Sequence, residues 1–267
     1  MQSTDRFFDA ALGGNISEVK RRLDKGVRAD RQDENGGTAL INASYNGHKE
    51  VCELLITHGC NVDMQNKYGD TTLIWAADKG HEAVCELLIT RRCNVDMQNN
   101  NGDTALIRAS TNGHKEVCEL LITCGCNLDM QTNSGTTALI WASDNGHKAV
   151  CELLITRGCN LDMQDKGGYT ALMWASYDGH KEVCELLITR GCNLDMQNEE
   201  GWTAFIQASW RGHIPVAISL IEAGCNYSLK NKKGKSAMDY LREKHPDKVK
   251  EVQVSRPPTA VVTHSLI

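Results

Sequence analysis

Proline is scarce in this chain of 267 residues: there are 4, and two of them are adjacent at Pro257 and Pro258. Because proline interrupts helices, its scarcity leaves most of the chain free to form them. Aromatic residues are also few, at 5%. An excess of basic residues is lacking as well, since the formal net charge is -5. Nucleic acids and anionic membranes attract basic surfaces, so we expect neither as a partner.

The chain contains no long apolar run. No stretch approaches the roughly 18 consecutive apolar residues of a membrane-spanning helix. Near the N-terminus, Asp5, Arg6 and Asp9 interrupt the region in which a secretory signal would be continuously apolar. The sequence therefore predicts a protein without membrane insertion, in the cytoplasm, with the nucleus left open as an alternative.

A unit of 33 residues recurs along the chain. The string Cys-Glu-Leu-Leu-Ile-Thr begins at five positions with this spacing, and a Gly-His pair occurs in six of the units. Self-similarity at a fixed period indicates a repeat architecture. The glycine that marks the period stands at Gly36, Gly69, Gly102, Gly135, Gly168, Gly201 and Gly234.

Each unit has the pattern of two short helices and a loop. In the unit 69–101, Thr71 is a candidate N-cap for a first helix, Thr72 to Asp78, which ends at Gly80. A second helix is predicted from about Glu82 to Thr90, and a polar, hairpin-like loop follows it. Helices this short cannot bury their apolar faces alone, but stacked copies can. The sequence therefore predicts an all-α solenoid of helix pairs.

The unit resembles an ankyrin repeat, whose consensus begins G-x-T-P-L-H-x-A-A-x-x-G-H. Here the corresponding residues run Gly102-Asp-Thr-Ala-Leu-Ile-Arg-Ala-Ser-Thr-Asn-Gly-His. The match covers about residues 3 to 245. It implies an N-terminal capping repeat at 3–35, six full repeats at 36–233, a C-terminal capping repeat at 234–250 and a flexible tail at 251–267.

Two positions depart from the family pattern. The consensus proline is alanine or threonine in this chain, as at Thr72, and the consensus histidine is apolar, as at Ile74. We therefore expect apolar stacking to replace a hydrogen-bonded link between repeats.

Cysteine is abundant, with 12 residues, and eleven of them follow the period. They stand where the family has small apolar residues, which predicts packing in the core rather than disulfides or metal binding. So many thiols favour a reducing compartment. Six of the nine histidines recur at one position in successive repeats, so they cannot converge on one metal ion. We expect neither a metal nor a cofactor. Cys124 breaks the period and is the candidate exposed thiol.

The positions that vary between repeats are the candidate binding residues. All five tryptophans fall at such positions, and tryptophan, tyrosine and arginine are enriched at binding hot spots. The resemblance implies that these positions line the concave groove and loop tips of the array. Packing of the tryptophans on the next repeat is the alternative. The predicted partner-binding residues are Tyr45, Trp75, Arg108, Trp141, Tyr169, Trp174, Tyr177, Trp202, Gln207 and Trp210.

The C-terminal residues form a second candidate site. Ser265 stands two places before the terminal Ile267, a pattern similar to the ligands of PDZ domains. The tail is therefore predicted to bind a PDZ-domain protein.

Together these features predict a monomeric, non-catalytic scaffold or adaptor that binds protein partners. One alternative is a thiol-based redox sensor acting through Cys124, and another is a regulatory subunit of a larger signalling complex. No arrangement of catalytic residues emerges from the sequence.

Overall fold

A computed structural model describes residues 6–254, and within this range the chain is helical, with no strand. Two isolated bridges, Gln32 with Thr38 and Lys230 with Ser236, are the only β-type pairings in the same range. The α-helices are α1 (Arg6–Leu12), α2 (Ile16–Asp24), α3 (Ala39–Tyr45), α4 (Lys49–Thr57), α5 (Thr72–Asp78), α6 (Glu82–Thr90), α7 (Ala105–Thr111), α8 (Lys115–Thr123), α9 (Ala138–Asp144), α10 (Lys148–Thr156), α11 (Ala171–Asp178), α12 (Lys181–Thr189), α13 (Ala204–Arg211), α14 (Ile214–Glu222), α15 (Ala237–Lys244) and α16 (Val249–Val254). A short 3₁₀ helix, Pro246–Lys248, precedes α16.

The chain divides into two compact units, one ending at Asn160 and the other beginning at Leu161. The N-terminal unit contains α1 to α10, and the C-terminal unit contains α11 to α16. In each unit the first helices of successive repeats pack on one another, as α5 does on α7 and α11 does on α13. The second helices form a parallel layer, in which α6 packs on α8 and α12 on α14. This confirms the predicted all-α, ankyrin-type stacking of helix pairs.

The repeat 69–101 shows why the helices form where they do. The hydroxyl oxygen of Thr71 accepts a hydrogen bond from the backbone N–H of Ile74 at 3.2 Å and so caps α5. Gly80 then closes the helix with a φ of 73°, in the left-handed region that glycine enters without strain. The predicted bounds of both helices, α5 and α6, are confirmed.

Hydrogen bonds link successive repeats in addition to apolar packing. Ile74, at the position of the consensus histidine, is buried as expected. However, a ring nitrogen of His114, Nε2, lies 3.1 Å from the carbonyl oxygen of Asp78 in the preceding repeat. The side-chain amide of Gln98 donates to the carbonyl oxygens of Gly102 and Gln131, at 2.8 and 2.9 Å. The expectation that stacking replaces the hydrogen-bonded link was therefore incomplete, because histidine and glutamine side chains supply such links elsewhere in the repeat.

The periodic cysteines are part of the core. All eleven are buried, whereas Cys124 is exposed, and all twelve are free thiols. In α10 the sulfur of Cys151 lies 3.5 Å from the hydroxyl oxygen of Ser143 in α9, so this thiol packs between the two helices of one repeat. The predicted packing role is confirmed.

The two ends of the described chain differ from the full repeats. At the N-terminus, α1 and α2 form a helix pair with Phe7 and Val19 buried. At the C-terminus, α16 continues past residue 250, where the tail was predicted to begin, because Val252 is fully buried in the packing of α16 on α14 and α15. Ser265 and Ile267 lie outside the described residues, so the PDZ-ligand hypothesis stays a prediction.

Candidate partner-binding surface

The predicted binding residues sit on the first helix of each repeat and in the loop that precedes it. Trp75, Trp141 and Trp174 occupy equivalent positions on α5, α9 and α11. Each is half-buried, although the residue on either side of it is buried. These tryptophans therefore contact the core with one edge and remain accessible along the other.

In the N-terminal unit, Tyr45 and Trp75 form an aromatic pair. Their ring centroids are 5.1 Å apart in an edge-on arrangement. The ammonium of Lys79 lies 4.9 Å from the centre of the Tyr45 ring and also pairs with Asp78 at 3.0 Å. The two rings line a shallow cavity of about 290 Å³, together with Leu12 and other residues.

Arg108 in the same unit is held by acidic neighbours. Its guanidinium lies 2.9 Å from a carboxylate oxygen of Asp103 and 3.8 Å from one of Asp78. Asn99 donates to the carboxylates of both Asp70 and Asp103, at 2.8 and 3.3 Å. The charge of Arg108 is thus compensated within the chain. Arg108 holds the position in its repeat that Trp75 and Trp141 hold in the repeats before and after it, so a polar side chain separates the two tryptophans.

Six aromatic rings follow one another in the C-terminal unit, and we call them the aromatic series. Successive ring centroids are 4.8, 6.0, 5.9, 5.6 and 5.1 Å apart. These separations lie within the range at which aromatic pairs attract each other. The members, in order of contact, are Tyr169, Trp174, Tyr177, Trp210, Trp202 and Tyr240.

Polar side chains from the preceding loops hold both ends of the series. Asp165 accepts a hydrogen bond from the indole N–H of Trp174 at 3.0 Å, and its other oxygen accepts from the backbone N–H groups of Gly167 and Tyr169. At the other end, the amide of Asn231 donates to the Tyr240 hydroxyl at 2.9 Å. Rings fixed in this way lose little conformational entropy when a partner binds.

Three cations lie over the series, and one of them, Lys235, is 5.4 Å from the centre of its last ring. The guanidinium carbon of Arg211 is 4.5 Å from the centre of the Tyr177 ring, and the ammonium of Lys244 is 4.5 Å from the centre of the Trp210 ring. Arg211 and Lys244 are both exposed. The result is a surface of contacting rings with positive charge at its edge.

Comparisons with known proteins agree with this stack of helix pairs. A family model described as ankyrin repeats in three copies matches residues 7–99, 83–165 and 148–231. The chain belongs to the ankyrin repeat family. The human ASB11 ankyrin repeat domain is similar, with a TM-score of 0.74 and 24% identity, covering 82% of this chain and 97% of that one. The ankyrin repeat domain of Bcl-3, described as a unique member of the IkappaB protein family, gives a TM-score of 0.72 and 25% identity, covering 83% of this chain and 100% of that one. No curated protein matches the chain.

One predicted residue of this ankyrin repeat protein is placed differently from the others. Gln207 occupies the position of Trp174 in the next repeat, but it is 3% exposed. Its side chain lies beneath the surface, so we leave it out of the proposed binding surface.

Tyr240 and Lys244 were missed by sequence reasoning. The signal that could have found them is the period itself, because they stand one repeat beyond Gln207 and Arg211. Tyr240 is buried and forms the end of the aromatic series, whereas Lys244 is exposed. The last unit is divergent in sequence, which obscured this correspondence.

Cys124, the candidate redox thiol, lacks the surroundings that activate cysteine. Partial burial raises its pKa above the ordinary value, and the carboxylate of Asp96 raises it further. Its thiol donates to the carbonyl oxygen of Leu121 at 2.9 Å. Reactive cysteines need a lowered pKa, so the described geometry disfavours a sensor at this residue.

No group of three or more histidine, cysteine or acidic side chains in residues 6–254 is placed to hold a metal ion. None of the helices in the same range is long and apolar enough to span a bilayer.

Proposed function

We propose that this ankyrin repeat protein is a non-catalytic scaffold or adaptor, and that the aromatic series of the C-terminal unit is its main partner-binding surface. Ankyrin repeats are generally protein-protein interaction modules. The observation that carries the proposal is the continuous contact of six rings, five of which are half-buried tryptophans or tyrosines at positions that vary between repeats. Framework packing requires the constant positions, so rings at the variable ones are available for recognition.

The physical properties of the series support binding. Tryptophan and tyrosine dominate interface hot spots because they bury a large area with few rotatable bonds. Hydrogen bonds to Asp165 and Asn231 hold the rings before any partner arrives. The Tyr45–Trp75 pair is a smaller candidate contact in the N-terminal unit. A regulatory subunit of a signalling complex would use the same surface, so this alternative differs in the partner and not in the site.

The location follows from the thiols. Eleven buried free cysteines suit a reducing compartment, and we propose the cytoplasm, with the nucleus as the alternative. The increased pKa of Cys124 leaves the redox-sensor alternative without support.

A double variant tests the binding surface. Tyr177→Ala with Trp210→Ala truncates two half-buried rings near the C-terminal ends of α11 and α13, and neither side chain forms a hydrogen bond with residues 6–254. Each truncation should cost about 2 kcal/mol of binding free energy, which together raise the dissociation constant by roughly 1,000-fold. The measurement is affinity capture from cell extract with quantitative mass spectrometry.

Tyr227→Ala is the matched control, because Tyr227 is an exposed tyrosine of the same unit in the loop after α14. Thermal melting should show both variants folded. Partners retained by wild type and Tyr227→Ala but lost by the double variant would support the proposal. An unchanged set of partners on a folded double variant would refute it.

A further inference from the structure

Arg211 and Lys244 are the starting point, because both lie over aromatic rings and neither forms an ion pair with a carboxylate of residues 6–254. The other cations beside aromatic rings in the variable positions are neutralised. Lys79 pairs with Asp78 at 3.0 Å, and Lys235 pairs with Glu243 at 2.7 Å. Among these cations, Arg211 and Lys244 are therefore the two whose charge no carboxylate of residues 6–254 compensates, and they define one edge of the aromatic series.

Two acidic residues of α15, the helix that carries Lys244, are already engaged. Glu243, its neighbour in sequence, holds Lys235 with both carboxylate oxygens at 2.7 Å. Asp239 caps α15 through Ser236 and pairs with Arg242 at 3.2 Å. These contacts leave the ammonium of Lys244 free to meet a carboxylate from outside the chain.

Arg211 and Lys244 stand at the same position of successive repeats, near the C-terminal ends of α13 and α15, which pack on each other. The residue one repeat earlier is Asp178, so the positive edge begins at Arg211. Neighbouring helices pack about 8–10 Å apart. An extended peptide rises about 3.3 Å per residue, so carboxylates two or three residues apart would match the two cations.

We infer that the aromatic series, with Arg211 and Lys244 at its edge, docks an acidic peptide segment of a partner protein. Two carboxylates of the segment meet the two cations, and an apolar or aromatic side chain between them rests on the rings of Tyr177 and Trp210. This inference rests on the proposed function and adds the chemistry of the partner. The whole chain carries a net charge of -5, so overall charge does not attract an acidic segment; the two cations do, and their positions fix its orientation.

The test uses the full chain and two matched arrays of short synthetic peptides. In the first array, two glutamates separated by one or two residues flank a tryptophan, phenylalanine or leucine. In the second, glutamine replaces each glutamate. Binding of each labelled peptide is measured by fluorescence anisotropy at low and high salt. We expect glutamate peptides to bind about tenfold more tightly than their glutamine counterparts at low salt, and added salt to remove the difference.

The variant Arg211→Gln with Lys244→Gln removes both charges and keeps the length of the stems. It should bind glutamate and glutamine peptides equally. Lys232→Gln with Lys233→Gln makes the same change in net charge at an exposed loop of the same unit and should retain the preference. Thermal melting checks that both variants remain folded.

Each other outcome has a defined meaning. If wild type binds the two arrays equally, or if neither array binds, the inference is overturned. If the preference survives in Arg211→Gln with Lys244→Gln, these cations do not recognise the carboxylates, which also overturns it. Loss of natural partners in Tyr177→Ala with Trp210→Ala would still support the binding surface in any of these cases, so failure of the inference is distinguishable from failure of the proposed function.

Discussion

Gly113→Ala should destabilise the N-terminal unit more than Gly125→Ala, although both make the same chemical change in one repeat. Both glycines have a left-handed backbone, with φ of 75° and 89°. Alanine in this conformation costs about 1 kcal/mol. At Gly125 a new Cβ would meet nothing within 4 Å, whereas at Gly113 it would lie 2.7 Å from Nδ1 and 2.8 Å from Cε1 of His147.

The histidine ring must move to admit that methyl group. In doing so it gives up the contact between its Nε2 and the carbonyl oxygen of Thr111, at 3.0 Å. Loss of the hydrogen bond costs about 1 kcal/mol, and repacking of the crowded ring costs about 1 kcal/mol more. We therefore expect a loss of about 3 kcal/mol for Gly113→Ala and about 1 kcal/mol for Gly125→Ala.

Urea unfolding followed by tryptophan fluorescence measures both losses, with circular dichroism as a second probe of cooperativity. His147→Ala, alone and combined with Gly113→Ala, completes a double-mutant cycle. The cycle should show a coupling of about 1–2 kcal/mol, because the second change removes the ring that the new methyl group strikes. Equal losses for the two glycine variants would refute the close contact between repeats.

The remaining predictions concern the thiols, the inter-repeat links and the aromatic series. Among the cysteines, Cys124 alone should react with an alkylating reagent in the native protein, and rapid native reaction of Cys151 would contradict its burial. Burial raises the pKa of Cys151 from 9.0 to about 11, so its thiol ionises at lower pH in the unfolded chain than in the folded one. The free energy of unfolding should therefore fall as pH rises from about 9 to about 11. Over that range the urea midpoint of Cys151→Ala should fall less steeply than that of wild type. Gln98→Met keeps the stem but loses two hydrogen bonds to the next repeat, at 2.8 and 2.9 Å. It should lower stability by about 2 kcal/mol in thermal melts, and an unchanged melting temperature would show that these bonds add nothing. In Asp165→Asn, the new amide NH₂ replaces one of the two accepting oxygens, so it must point either at the indole N–H of Trp174 or at the backbone N–H groups of Gly167 and Tyr169. The variant should therefore lose about 1–2 kcal/mol in urea unfolding and shift the tryptophan emission. Unchanged stability would show that Asp165 does not hold the Trp174 ring.

Local signals in the sequence were sufficient to predict the helices. The N-cap threonine and the closing glycine act within a few residues of their own helix, so Thr71 and Gly80 predicted the ends of α5 correctly. The burial of the periodic cysteines was equally predictable, because each stands at a core position of every repeat. A repeated framework makes such positions visible without any alignment.

Long-range contacts between variable residues were not predictable in the same way. Arg108 is a predicted partner-binding residue, but the period did not predict its ion pairs with Asp103 and with Asp78, which lies in the preceding repeat. Gln207 and Trp174 occupy the same position of the repeat, yet the glutamine is buried and the tryptophan is half-buried. The difference depends on which side chains surround each residue in the folded unit, and the period carries no information about that.

The sequence by itself determined the period, the helix pairs, the role of the cysteines and the set of variable positions, because these depend on local geometry repeated at a fixed spacing. Tertiary structure decided how the variable side chains meet one another. Stacking brings residues of successive repeats into contact, so Tyr177 touches Trp210, 33 positions away, and Trp202 touches Tyr240, 38 positions away, only in the folded unit. Stacking also leaves Arg211 and Lys244 over the rings without an ion pair to a carboxylate of residues 6–254, while Glu243 and Asp239 of α15 bind other groups.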